Sequence, residues 1–332
     1  MLETTSSHRA WRCHAFGDYH DLVREQVASP APGADEILVR NRAFALGFPD
    51  LLMVQGRYQL KPPLPFVPCA EFAGEVLAVG TAVARFTPGE RVMGSMRCGA
   101  AAERVTATAD DCMRLPESFD YAHGAAFIIA YKTAYVGLVV RGGLKPDETV
   151  LVHGAAGGVG LAAVELAVAL GARVIAMASG QAKLDLVRAK GAQQVLDYAD
   201  GGFREHVKEL TDGRGVDVVY DPIGGDVFDE SLHCVAPFGR VLVIGFASGR
   251  IPTVKVNHAL LKQYAVIGVR AGEYGRVYPQ GGRAVHAALE AWAASGRLTP
   301  HVHARLGFDE LLGGFDTIAA RRVMGRVVCE LP

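Results

Sequence analysis

Up to about residue 145 the apolar positions fall in short runs, at 36–42, 72–79 and 102–107, separated by Gly and Pro turns. Such spacing predicts a β-rich, irregular region. Within it, residues 61–68 read Lys-Pro-Pro-Leu-Pro-Phe-Val-Pro. Each proline removes a backbone donor, so this stretch is a loop and not a helix or central strand. Beyond residue 145 the rhythm changes. Apolar runs at 150–152, 173–178, 194–196, 216–220, 240–244 and 265–269 alternate with helical patterns that end at Leu170 or cover 181–190, 203–211 and 227–234. Apolar strands alternating with helices specify a parallel sheet covered on both faces, and six in this order predict an α/β, doubly wound Rossmann sheet. The remainder, 273–332, holds a helical pattern at 284–295 and a strand pattern at 325–330, and is expected to pack back onto the N-terminal region.

Composition narrows the partners. A chain of 332 residues suits two domains, and 50 % hydrophobic with 21 % charged residues excludes disorder in bulk. Lys and Arg number 34 against 35 Asp and Glu, a net charge of -1. No nucleic-acid partner is expected, and an anionic ligand needs a local site. The six cysteines (13, 69, 98, 112, 234 and 329) form no C-x-x-C pair and read as reduced, mostly buried thiols of a cytoplasmic protein. The N-terminal residues lack a signal-peptide pattern, and the apolar run at 161–170 is too short to span a bilayer and carries Glu165. No membrane partner is expected.

The candidate chemistry starts at residues 150–160, Val-Leu-Val-His-Gly-Ala-Ala-Gly-Gly-Val-Gly, a glycine-rich turn that follows a strand and opens a helix. That context marks a dinucleotide site. Gly154 permits a tight turn, Gly157 and Gly158 let backbone approach a pyrophosphate, and Gly160 lets the helix sit close to the sheet; Ala156 and Val159 complete the cofactor-binding loop. The next strand ends Ala-Met-Ala-Ser-Gly at 176–180, with Ser179 where an NAD site usually places an acid. No acid follows until Asp185, and Lys183 can add positive charge, so NADPH is the expected cofactor.

Further motifs are Phe-Pro-Asp-Leu-Leu-Met-Val-Gln-Gly-Arg-Tyr at 48–58, Glu-Phe-Ala-Gly at 71–74, Pro-Gly-Glu-Arg-Val at 88–92 and Thr-Ala-Tyr at 133–135. Others are Tyr-Asp-Pro-Ile-Gly-Gly at 220–225 and Gly-Arg-Val-Val at 325–328. In this order they resemble the zinc-independent quinone oxidoreductase (zeta-crystallin-like) branch of the medium-chain dehydrogenases/reductases. The resemblance implies a GroES-like catalytic domain, 1–125 plus 270–332, with a Rossmann NADPH-binding domain, 126–269, inserted in it. It implies that Lys183, Tyr198 and Arg326 surround the adenosine 2′-phosphate, and that Thr133, Gly245 and Phe246 approach the nicotinamide. It also implies a homodimer joined through the Rossmann sheet edges. The positions matching the catalytic zinc ligands of metal-dependent relatives are Gly47, Ala70 and Ile129, so no metal site is expected. Gly47 replaces a common Asn, and Cys69 interrupts a usual Pro-Gly pair. His301 and His303 are expected on a solvent-facing strand.

Metal-free hydride transfer suits acceptors that are already activated, such as quinones and α,β-unsaturated carbonyls, in which one hydrogen-bond donor can meet the charge on oxygen. Tyr58 is the candidate donor; the alternative is that it only lines the pocket. An enoyl-thioester reductase and a redox-inactive NADPH-binding protein are the other readings.

Overall fold

In a computed structural model, which describes residues 7–200 and 202–332, the chain packs as two compact units. One runs to Ile129 and resumes at Thr299–Pro332; the other is Ala130–Leu298.

The first unit is the β-rich one. Its main sheet has seven strands, in the order Val302–Gly307, Arg326–Glu330, Glu36–Leu46, Glu71–Val79, Arg91–Ser95 and Cys112–Arg114, with Arg104–Thr108 also pairing to Glu36–Leu46. All neighbours are antiparallel except the first two. Phe44, Phe72, Phe315 and Ile37 are fully buried in its core. The proline stretch at 61–68 is a loop, pinned by Phe66, which exchanges backbone hydrogen bonds with Cys13.

The second unit holds six parallel strands in the order Gln194–Asp197, Arg173–Ala178, Thr149–Val152, Val216–Asp221, Val235–Val243 and Ala265–Gly268. Numbered along the chain this order is 3-2-1-4-5-6, that of a Rossmann sheet. The central strands are apolar throughout because helices cover both faces. The fifth strand begins five residues before the predicted start, since Val235 pairs with Val216 ahead of a register shift that accommodates Phe238 and Gly239.

The tail divides differently from expectation. Helices Ala271–Val277 and Pro279–Ala294 stay with the second unit, so the return to the first unit comes at residue 299 and not 270. Val285, Leu289 and Ala293 bury one face of the longer helix, and Arg297 reaches the Ala169 carbonyl at 2.8 Å. The predicted start at 284 moves to Pro279, which fits the first turn because its missing N–H has no helical partner there.

Candidate active site

Three strand ends meet around Gly154. This residue has φ +55°, in the left-handed region that favours glycine, and a Cβ on it would lie 2.9 Å from Ile223 Cδ1. The turn is closed from within: the Ala155 amide donates to the Met177 carbonyl and the Gly157 amide to the Gly154 carbonyl, both at 2.9 Å. Helix Gly158–Ala169 starts at once. Its first amides, on Gly158, Val159 and Gly160, have no carbonyl one turn earlier in the helix and form its positive end. A Cβ on Gly160 would fall 2.2 Å from the Gly154 oxygen, so only glycine lets the helix begin this close. Ala156 is buried beneath the turn. This cradle, which a side chain would fill, suits the pyrophosphate of a dinucleotide.

Beside it, strand Arg173–Ala178 runs into exposed Ser179 and Gly180. Gly180 has φ +85° and open space where a Cβ would be. Its amide donates to Asp197 Oδ2 at 2.9 Å, and the Ala199 amide donates to Asp197 Oδ1 at 2.9 Å. These two bonds hold the Asp197 carboxyl below the usual carboxylate range. An acid therefore does stand at this corner, supplied by the neighbouring strand, where reading along the second strand missed it. Lys183 is half-buried on the first turn of helix Gln181–Ala189.

Tyr198 is placed otherwise than expected. Its hydroxyl accepts the Gly154 amide at 2.9 Å and lies 3.1 Å from His153 Nδ1, so it is committed to the turn and not to a 2′-phosphate. His153 is fully buried, and burial pushes its imidazole down to about 3, neutral at physiological pH. At the third strand end, buried Asp221 accepts the Ile223 and Gly224 amides at 2.7 and 3.0 Å; burial lifts its carboxyl to about 6. That turn packs on Gly154 through Ile223 and on Phe246 through Gly224. Gly245 and Phe246 thus lie against this Pro222–Gly224 turn, while Thr133 stands half-buried on helix Ile128–Tyr135.

In the first unit the structure corrects the placement of Arg326. Only 7 % exposed, its guanidinium is bonded to the buried Glu71 carboxylate, with Nη1 beside Gly47. Buried and paired with Glu71, this guanidinium belongs to the core of the first unit. The cluster is nonetheless built with care. Glu71 Oε1 accepts the Ile129 amide at 2.6 Å, and Asp50 Oδ2 accepts the Gly47 amide at 2.7 Å, capping helix Phe48–Val54. Burial raises both carboxyls against the pull of Arg326, Asp50 to about 7. These groups surround the positions matched to zinc ligands, Gly47, Ala70 and Ile129, none of which has a donor side chain. The signal was legible as polar residues inside apolar runs. Among the described residues, no group of three or more His, Cys, Asp or Glu is arranged to hold a metal ion. Tyr58 follows the same helix, half-buried against the first unit's core, its amide bonded to the Leu52 carbonyl. His301 and His303 are half-buried at and before strand Val302–Gly307. Cys69 is buried and Cys98 half-buried.

Comparison with known proteins agrees with this architecture. Residues 33–138 match the family model described as alcohol dehydrogenase GroES-like domain, and 158–291 that described as zinc-binding dehydrogenase. The quinone oxidoreductase-like protein 2 homolog of Nematostella vectensis is 37 % identical over 325 residues, 97 % of this chain and 88 % of that protein. A quinone oxidoreductase of Pseudomonas aeruginosa is 35 % identical, covering 95 % and 97 %. The Escherichia coli quinone oxidoreductase solved with NADPH superposes with a TM-score of 0.88 at 28 % identity, covering 97 % and 100 %. The glycine cradle on a 3-2-1-4-5-6 sheet, the GroES-like unit and these matches make the chain a member of the quinone oxidoreductase-like family of medium-chain dehydrogenases/reductases.

Proposed function

We propose that the protein is an NADPH-dependent, metal-independent reductase of quinones or α,β-unsaturated carbonyls. The observation that carries the reading is the cradle of Gly158, Val159 and Gly160 amides, beside a second strand that ends in Ala178 and Ser179 rather than in an acid, with Lys183 on the helix that follows. Asp197 turns its two carboxylate oxygens to the Gly180 and Ala199 amides, so its lone pairs are engaged by backbone while its charge remains. A bound nicotinamide supplies the hydride. The chain's own residues do the remaining work. Thr133, Gly245 and Phe246 are the proposed nicotinamide contacts, and the Tyr58 hydroxyl donates to the carbonyl oxygen on which charge accumulates as hydride reaches the far carbon. With no donor side chain at 47, 70 or 129, charge on oxygen has to be met by hydrogen bonds, which favours acceptors that delocalise it.

A homodimer accompanies this reading. The strand Ala265–Gly268 is an open edge of the Rossmann sheet, and Ile251, Val256, Leu260, Leu261 and Val266 are exposed in the same unit, 84 % in the case of Val256. An apolar patch beside an open edge favours pairing with a second copy. The cytoplasm is supported by six free thiols. No helix among the described residues is long and apolar enough to cross a membrane.

The test is NADPH oxidation across a panel of quinones, enones and enoyl thioesters. Turnover of the first two classes is expected. A clear preference for enoyl thioesters would move the assignment to that class, and NADPH binding without turnover of any acceptor would make the protein a redox-inactive binder.

A further inference from the structure

The groups beneath the glycine turn form a hydrogen-bond chain whose direction can be read from one end to the other. Ser231 Oγ donates to the Val227 carbonyl at 2.7 Å, which spends its only proton. The contact of 2.7 Å between Ser231 Oγ and His153 Nε2 must then be donated by the imidazole. A neutral imidazole protonated on Nε2 has a lone pair on Nδ1, and the Tyr198 hydroxyl, 3.1 Å away, can only donate to it. With its proton so directed, the Tyr198 oxygen presents a lone pair to the Gly154 amide, which donates to it at 2.9 Å. Ser231 and His153 are both fully buried, and the Phe203 ring lies edge-on to the imidazole at 5.1 Å, so nothing from solvent competes for these bonds.

From this geometry we infer that His153 is a positioning residue for the cofactor loop. Through the tautomer that Ser231 imposes on it, His153 aims the Tyr198 hydroxyl so that Gly154 is held in its left-handed conformation before any ligand arrives. The amides of Ala155 and Gly157 are consumed in the same closure, while those of Gly158, Val159 and Gly160, at the start of the helix, have no helical partner. The inference rests on the dinucleotide reading of that turn, but the chain of bonds is a property of the unliganded protein and can be tested without a cofactor.

The sharpest perturbation is Ser231→Ala, at a residue 78 positions from His153 in sequence. It removes the acceptor from Nε2, so the proton moves to Nδ1, which becomes a donor pointing at a hydroxyl that already receives the Gly154 amide. Two donors then face one oxygen, and the Gly154 bond weakens. Three measurements are expected to agree. Nitrogen-15 shifts of His153 show the Nε2–H tautomer in the wild type and the Nδ1–H tautomer in Ser231→Ala. Hydrogen exchange of the Gly154 amide, without cofactor, is faster in Ser231→Ala and in Tyr198→Phe than in the wild type. NADPH affinity, read by nicotinamide fluorescence, falls ~10-fold in Ser231→Ala and in Tyr198→Phe, the scale expected for losing one hydrogen bond, and the double variant is no weaker than either single one because both act on the same bond. His153→Asn, which keeps an acceptor near the Nδ1 position, retains more affinity than His153→Leu. An Nδ1–H tautomer in the wild type, unchanged Gly154 exchange in Ser231→Ala, or additive losses in the double variant would each overturn the inference. A wild-type protein that shows the relay by tautomer and exchange yet binds no NADPH would uphold the relay and refute the cofactor assignment instead.

Discussion

Asp197 Oδ2 accepts the Gly180 amide at 2.9 Å, which ties the end of the third Rossmann strand to the corner where the second strand turns outward. The acid at this corner is therefore already engaged by backbone, and the residue that would contact a ribose directly, at the end of the second strand, is Ala178 or Ser179. NADPH is expected to bind at least tenfold more tightly than NADH, about 1.4 kcal/mol. Ala178→Asp should narrow or reverse that preference. Asp197→Asn keeps an acceptor for one amide but removes a negative charge, so it should widen the preference for NADPH, more so at low ionic strength. Dissociation constants for both cofactors check the three statements; equal affinities in the wild type would defeat the first.

Gly160→Ala tests the cradle. Its new Cβ would meet the Gly154 oxygen at 2.2 Å, a contact that backbone must move to relieve. NADPH affinity should fall at least tenfold, and stability by about 2 kcal/mol, as for other forced overpacking. Gly313→Ala is the control: Gly313 is exposed on helix Leu311–Ala319 with open space around it. Alanine there should add roughly 0.5–1 kcal/mol of stability through helix propensity. Thermal melts and cofactor titration of the two variants separate the outcomes.

The Rossmann half was legible because period and composition act together there: fully apolar strands, glycine at fixed offsets and helical spacing leave few alternatives. Less legible were the contacts that polar residues make across the fold. Asp197 and Tyr198 are 17 or more residues distant in sequence from the amides of Gly180 and Gly154 that they bind, and spacing along one strand carries no trace of that. Arg326 looked like a phosphate ligand because it is a cation in a family motif. Its burial depends on Glu71, 255 residues away. The tail was misjudged for the same reason, since an amphipathic helix such as Pro279–Ala294 announces that one face is buried but not against which unit.

The exposed apolar residues beside the open sheet edge give a test of assembly. Leu260 and Leu261 are 76 % and 77 % exposed. Replacing both with Asp should convert a dimer to a monomer, seen by light scattering, while NADPH binding persists because the glycine turn is untouched. A wild-type protein that is monomeric at micromolar concentration would refute the dimer.

Tyr58→Phe keeps the ring and removes only the hydroxyl. If that hydroxyl meets charge on the carbonyl oxygen, kcat on an enone should fall by ~10²-fold. A quinone, whose charge is already delocalised, should suffer less. NADPH affinity should barely change, since the pyrophosphate cradle lies in the other unit. Full activity on both acceptors would leave Tyr58 as a wall of the pocket, with the proton coming from elsewhere.

The buried cluster of the first unit sets a pH dependence of stability whose sign follows from its charge count. Two carboxylates, Asp50 and Glu71, share one guanidinium, Arg326. Glu71 is bonded directly to Arg326 and to the Ile129 amide, so Asp50 is the group in excess, and burial lifts it from 3.8 to about 7. Between those values the folded protein holds a proton that the unfolded chain releases. Stability is therefore greatest below the unfolded pKa and declines as pH rises through about 7. The decline attributable to this group between pH 5 and pH 8 is about 2.6 kcal/mol. Asp50→Asn keeps an acceptor for the Gly47 amide and carries no charge, so it should flatten that slope and be the more stable protein at pH 8, with little change at pH 5. Arg326→Met should act in the opposite direction, by about 3–5 kcal/mol at neutral pH, because it leaves buried carboxylates without a counter-charge. Denaturant midpoints of the three proteins from pH 5 to pH 9 decide the matter. An Asp50→Asn variant that loses stability at pH 8 would mean that the Asp50 charge is compensated in the fold, and that another group sets the slope.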